Sequence, residues 1–156
     1  MTDESPDLPW RQLALRLRRP ESRTLLDFWV AARGGRRYPP RADLLASPLA
    51  AMRDRLVLLR VATKPEGFRY AHFGAVFSRQ HGFDMTGKTV ADWPPAILPG
   101  ALAAYAAAMS AGGLWYLHSA PAADGKSRAT EKIYLPFAAD LEHVDHILVG
   151  TFEIVD

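Results

Sequence analysis

The eight residues GFDMTGKT, Gly82 to Thr89, satisfy every fixed position of G-x-x-x-x-G-K-[ST], the loop that cradles nucleotide phosphates. That chemistry needs an apolar strand before the first glycine and a helix after the Lys-Thr pair, whose amides meet the phosphates. Here the preceding residues, VFSRQH, are polar and helix-like, and only VADW follows before Pro94 and Pro95. Asp84 would also add negative charge inside the cradle. The downstream strands offer no strand-ending aspartate for a magnesium ion. The stretch therefore reads as a turn. Gly82 and Gly87 allow positive φ between short helical pieces, Phe83 and Met85 point inward, and Asp84 and Lys88 stay in solvent.

The other reactive residue types give little support to an enzyme. The chain has no cysteine, which removes disulfides, thiolate metal sites and cysteine nucleophiles together. HVDH, His143 to His146, straddles a turn and a strand start, and reads as a solvated turn rather than a metal site. There is no Ser-His-Asp arrangement, no carboxylate pair in an apolar setting and no H-E-x-x-H helix. Aromatic and sulfur side chains are more informative. Phe77, Phe83, Met85, Trp93 and Ile97 are expected to line the helical side of a cleft. Tyr70, His72 and Ile133 are expected to face them from a sheet, giving two polar handles in an apolar pocket. The same residues could simply fill a core, and that alternative stays open.

The elements that would hold these residues follow from periodicity and breakers. The 156 residues suit one domain, with a hydrophobic share of 49% and a charged share of 23%. A net charge of +2 is too small to argue for nucleic acid. No uninterrupted apolar run marks a signal peptide, and none approaches the ~18 residues of a membrane span, so the reading is a cytoplasmic protein. Residues 1–21 read as a lightly attached arm, bracketed by Pro9 and Pro20, and residues 22–156 as the domain. In RTLLDFWVAARGG a helix has Leu25, Leu26, Phe28, Trp29 and Ala32 on one face, with Thr24 and Asp27 as a capping box and Gly34 as its end. LVLLRVAT and FRYAHFGAVF form a hairpin. PPAILPGALAAYAAAMSAGG is the longest helix, and three strands follow it. The order predicts an α+β fold, a five-stranded antiparallel sheet with short helices and one longer helix on one face, plus an N-terminal helix. In HILVGTFEIV both alternating faces are apolar, so something covers the second face. Either the helix around Trp29 or a second subunit does so, and a homodimer through the face of Val149 is the first expectation.

Several stretches together resemble a known family. LLDFWVAARGGRRYPPRAD opens the match, FRYAHFG and GFDMTG follow, and KIYLPFA and HILVGTFE complete it. From about Thr24 to the end the chain resembles the PAS-like domains of short bacterial proteins, mainly alphaproteobacterial and often stand-alone. Asp84, Thr86 and Gly87 occupy that family's D-x-T-G element, and His72 stands where small or apolar residues are usual. The resemblance implies two strands, several short helices, one long helix and three more strands around a cleft, with dimers often made by the outer sheet face. It implies a sensory or regulatory binding module that holds a small ligand or links partners, signalling in trans because no output domain is attached. A cysteine-linked flavin adduct or thioester chromophore is excluded by the absence of cysteine. A haem lacks a histidine in the long helix, although His72, His81 and His118 could serve in another geometry. A ligand-free homodimerisation adaptor is the alternative, and an enzyme of α+β cone fold, with a histidine–aspartate pair deep in its cavity, is the third reading.

Overall fold

The computed structural model describes the backbone of residues 2–4 and, with side chains, residues 10–40, 49–110, 114–119, 128–140 and 142–154, apart from the side chain of Ser119. Among the described residues six strands form one antiparallel sheet: β1 (Thr2–Glu4), β2 (Leu56–Arg60), β3 (Arg69–Phe73), β4 (Trp115–Ser119), β5 (Thr130–Phe137) and β6 (His146–Glu153). They lie in the order β1-β4-β5-β6-β2-β3. The helices are α1 (Trp10–Arg16), α2 (Pro20–Arg33), α3 (Ala75–His81) and α4 (Leu98–Ser110). Strands β2 to β6 are the expected five, and α3, a short 3-10 turn at Val90–Asp92 and α4 stand between the two strand groups as the sequence implied.

The sixth strand is the difference. Residues 2–4, too short and too polar to announce a strand, extend the sheet at the edge of β4, with Thr2 opposite Ser119 and Glu4 opposite Leu117. Nor are residues 10–17 a loose extension. Leu13 and Leu17 are 1% exposed and belong to the same core cluster as Leu25, Leu26 and Trp29. Burying one such leucine contributes roughly 1.5–3 kcal/mol, more than a loosely docked turn would gain. The expected boundary at residue 21 falls inside α2, which begins at Pro20 rather than at Thr24. Proline suits a first helical position because its missing N–H has no partner there anyway. Thr24 is no cap; its hydroxyl donates back to the Pro20 carbonyl at 3.0 Å. Gly34 does end the helix, at φ 58°.

Strand parity divides the core in two. On one face Leu58, Ile133, Leu135, Leu148 and Phe152 pack with Leu13, Leu17, Leu25, Leu26 and Trp29 of the N-terminal helices. Trp29 donates its indole N–H to the Pro136 carbonyl at 2.7 Å. Helix α2 approaches β6 so closely at Gly150 that a Cβ there would run into the Leu25 side chain and lie 2.9 Å from the Phe152 ring. On the other face Val57, Leu59, Tyr134, Ile147 and Val149 pack with Met85, Val90, Trp93 and Tyr105. Both faces of β6 are thus covered within the chain. The second face that suggested another subunit is met by α1 and α2, and Val149 lies beneath the opposite layer, not on an outer surface.

A buried carboxylate fixes the α1–α2 junction to the sheet. The amides of Arg18 and Arg19, just before α2, donate to Glu131 of β5 at 3.0 and 2.8 Å, and the Tyr116 hydroxyl donates at 3.2 Å. Burial, followed by the neighbouring Glu131 charge, pushes the Tyr116 phenol up to about 12, so it remains a donor. An anion at this helix start also meets the positive end of the helix dipole. Replacing Glu131 with alanine leaves these donors without their acceptor and should cost about 2–3 kcal/mol in urea denaturation. A loss below about 0.5 kcal/mol, the size of an ordinary surface change, would mean that the junction is held by packing alone.

Candidate functional site

The cleft-facing residues depend on an irregularity in β3. Phe73 pairs with Val57 and His72 with Leu58, but Leu59 pairs with Tyr70, so Ala71 is an extra residue in the ladder. A bulge resets the two-residue alternation. Tyr70 and Phe73 consequently share the buried cleft face, whereas His72 is turned out of it and its Nε2 lies 2.8 Å from the Arg53 carbonyl oxygen. Strict alternation would set Tyr70 and His72 on one face; the bulge separates them and corrects that expectation. Ile133 is also displaced, because odd-numbered residues of β5 face α1 and α2, and Ile133 packs there. Its neighbours Lys132 and Tyr134 face the cleft instead.

The D-x-T-G stretch has a clear structural task. Asp84 accepts from the Thr86 amide at 2.8 Å and from its hydroxyl at 2.7 Å, bonds that hold its carboxyl below the usual range. Gly87 follows at φ 83°, and its amide donates to the Tyr70 carbonyl at 2.8 Å, while Tyr70 donates to Lys88 at 2.9 Å. The turn is stitched to the outer edge of β3. After it, Asp92 accepts from the Thr89 amide at 2.9 Å, closing the turn that delivers Trp93 over the cleft. The segment follows helix α3 and precedes a three-residue 3-10 turn, so neither flank of a phosphate loop is present.

Beneath Trp93 lies a cavity of about 330 Å³ between the sheet and α4. The helix faces it with Gly100, Ala101 and Ala104, side chains too small to reach the sheet, and with Tyr105. Ile97 and Leu117 supply apolar wall, Tyr134 adds a further phenol, and His81 and Lys132 supply nitrogen. A smaller adjoining space of about 90 Å³ reaches Phe73, Phe77, Val149 and Thr151. Among the expected site residues, Tyr70, Trp93 and Ile97 line the larger cavity and Phe77 the smaller. Met85 is buried behind the wall, and Phe83 backs Trp93 at 5.7 Å between ring centroids.

Three polar groups are linked across this wall. The Trp93 indole N–H donates to the Tyr70 hydroxyl at 2.8 Å, and the Tyr70 and Tyr105 hydroxyls are 3.0 Å apart. Burial raises both phenols, Tyr105 well above its ordinary value, so both keep their protons. Trp93 also receives edge contacts from His81, at 4.9 Å between centroids, and from Tyr70 at 6.0 Å. Burial first, then the Lys132 charge, lowers the His81 pKa, which favours neutral imidazole. No carboxylate lines the cavity among the described residues. The histidine–aspartate pairs that do form, His143 with Asp140 and His146 with Asp145, each at 2.7 Å, include no cavity residue. The deep pair expected of a cone-fold enzyme is therefore not found among the described residues.

Lys132, Tyr105 and Tyr134 are cavity residues beyond the expected set, and His81, considered above only as a haem ligand, joins them. Two of them carried a signal. Tyr105 is the single hydroxyl-bearing residue within ALAAYAAAM, and Lys132 is a charge opening the apolar run KIYLPF.

No family model matches the chain, and no curated protein matches it. Among solved structures it is similar to the PAS domain of Bordetella pertussis BvgS, at 19% identity over 69% of this chain and 87% of that one, with a TM-score of 0.44. It is also similar to an RNA-binding light-oxygen-voltage receptor, at 16% identity over 74% of this chain and 35% of that one, with a TM-score of 0.41.

The hydroxyl chain predicts an asymmetry between two conservative substitutions. Tyr70→Phe strands the buried Trp93 N–H and should cost about 1–3 kcal/mol in chemical denaturation. Tyr105→Phe leaves the Trp93–Tyr70 bond in place and should cost no more than about 1 kcal/mol. Equal losses would contradict the central position of Tyr70.

Proposed function

We propose that this chain is a PAS-like sensory or regulatory module that binds a small molecule between its sheet and α4 and signals to a partner protein in trans. The observation that carries the reading is the cavity itself. Its volume of about 330 Å³ lies within the range of small-molecule sites, which pair apolar walls with a few fixed polar groups. A ligand-free adaptor would have no use for Gly100, Ala101 and Ala104 opposite Leu117 and Tyr134, where larger side chains would bury more apolar surface. Helices α1 and α2, packed on the far side of the same sheet, are the proposed route to the partner, because any shift of β5 is felt by both layers. A homodimer, if formed, uses a surface other than that of Val149.

Filling the space tests the reading. Ala104→Leu adds apolar volume where there is room, so the thermal midpoint should stay within a few degrees or rise, as cavity-filling changes commonly do. In ligand-observed NMR with a small-molecule fragment library, fragments that bind the wild type should lose about tenfold or more in affinity to this variant. Fragments that bind both proteins equally would place binding outside the cavity.

A further inference from the structure

Lys132 is the one cation of the cavity wall whose charge has no described counterpart. It stands on β5 between Glu131 and Ile133, which face the N-terminal helices, and its own side chain lines the cavity. No hydrogen bond or ion pair reaches its ammonium group among the described residues, and burial lowers its pKa. Glu131 does not serve it, being engaged on the opposite face by Arg18, Arg19 and Tyr116. Lys132 is half-buried in a cleft that opens to solvent on one side, so an anion entering there meets an ammonium that water screens only in part.

The hydroxyl chain supplies a second donor. Trp93, Tyr70 and Tyr105 bring three polar hydrogens, and two are consumed in the two bonds that join them. Whichever way the Tyr70–Tyr105 bond is oriented, one phenolic hydrogen is left over, and both phenols line the cavity. The wall therefore offers an ammonium and a phenol O–H, with no carboxylate among the described lining residues to compete for them. Phosphate recognition would call for more charge, usually an arginine fork, and no arginine lines the cavity among the described residues.

We propose that the cavity selects a small organic monocarboxylate, its carboxylate held by Lys132 and by the spare hydroxyl of the Tyr70–Tyr105 pair, and its apolar or aromatic body against Trp93 and Ile97. This rests on the cavity being a binding site, so the test separates the two claims. Phenylacetate, hydrocinnamate and indoleacetate, each paired with its primary amide, are titrated calorimetrically into the wild type, Lys132→Met and Ala104→Leu. At least one acid should bind the wild type about tenfold or more tightly than its amide. Lys132→Met should erase that preference while leaving amide affinity within about twofold, and Ala104→Leu should weaken both. An amide that binds as well as its acid, or an acid that binds Lys132→Met unchanged, overturns the anion claim and leaves the cavity as a site. Absence of binding by every acid and amide to the wild type overturns both.

Discussion

The carboxylate of Glu131 and the ammonium of Lys132 sit on successive residues of β5 and point to opposite faces of a sheet covered on both sides. That constraint organises the molecule. Glu131 is buried under α1 and α2 and takes its donors from the backbone of their junction and from Tyr116. A buried carboxylate is tolerable only with its acceptor sites occupied, so the junction must lie where it lies. Once α2 is anchored there, Leu25 packs against Gly150 and Trp29 reaches the Pro136 carbonyl. The outer face of the sheet is closed by the chain's own first helices.

The inner face is closed less completely. Met85, Val90 and Trp93 arrive on a segment stitched to β3 by backbone hydrogen bonds, and they fill the space near β2 and β3. Helix α4 covers the space toward β4 and β5 with glycine and alanine, which cannot fill it. The cavity is a consequence of that mismatch between a bulky segment and a slender helix. The space opens to solvent on one side, and apolar walls beside a few fixed polar groups are what small-molecule clefts present. Because β5 is shared by both layers, a ligand drawn to Lys132 would act on the strand that also carries the junction anchor.

Much of this arrangement was legible in the sequence. Turn residues and apolar periodicity gave five strands, the long alanine-rich helix and the rejection of the phosphate loop, since each depends on local signals. The double-faced apolar pattern of HILVGTFE correctly required cover on both sides. The features that local signals do not carry depend on register. A single bulge at Ala71 separates His72 from Tyr70, and no local residue type announces it. The parity of β5 decides between Ile133 and Lys132, and it is set by pairing with β6, where Ile133 lies opposite Gly150. Arginines interrupt the leucines of the arm and disguise its helix, in which Arg11 is exposed while Leu13 and, just beyond it, Leu17 are buried. Thr24 and Asp27 offered a plausible cap, but Pro20 allowed the helix to begin a turn earlier.

The space between α4 and the sheet is proposed to hold a small molecule. The most direct measurement is native mass spectrometry of gently purified protein, set against its denatured mass. An excess mass of one small organic molecule per chain, released on denaturation and absent from Ala104→Leu, is the expected result. A bare polypeptide mass in the native spectrum, unchanged when the protein is purified from fresh cell extract without dialysis, would contradict it.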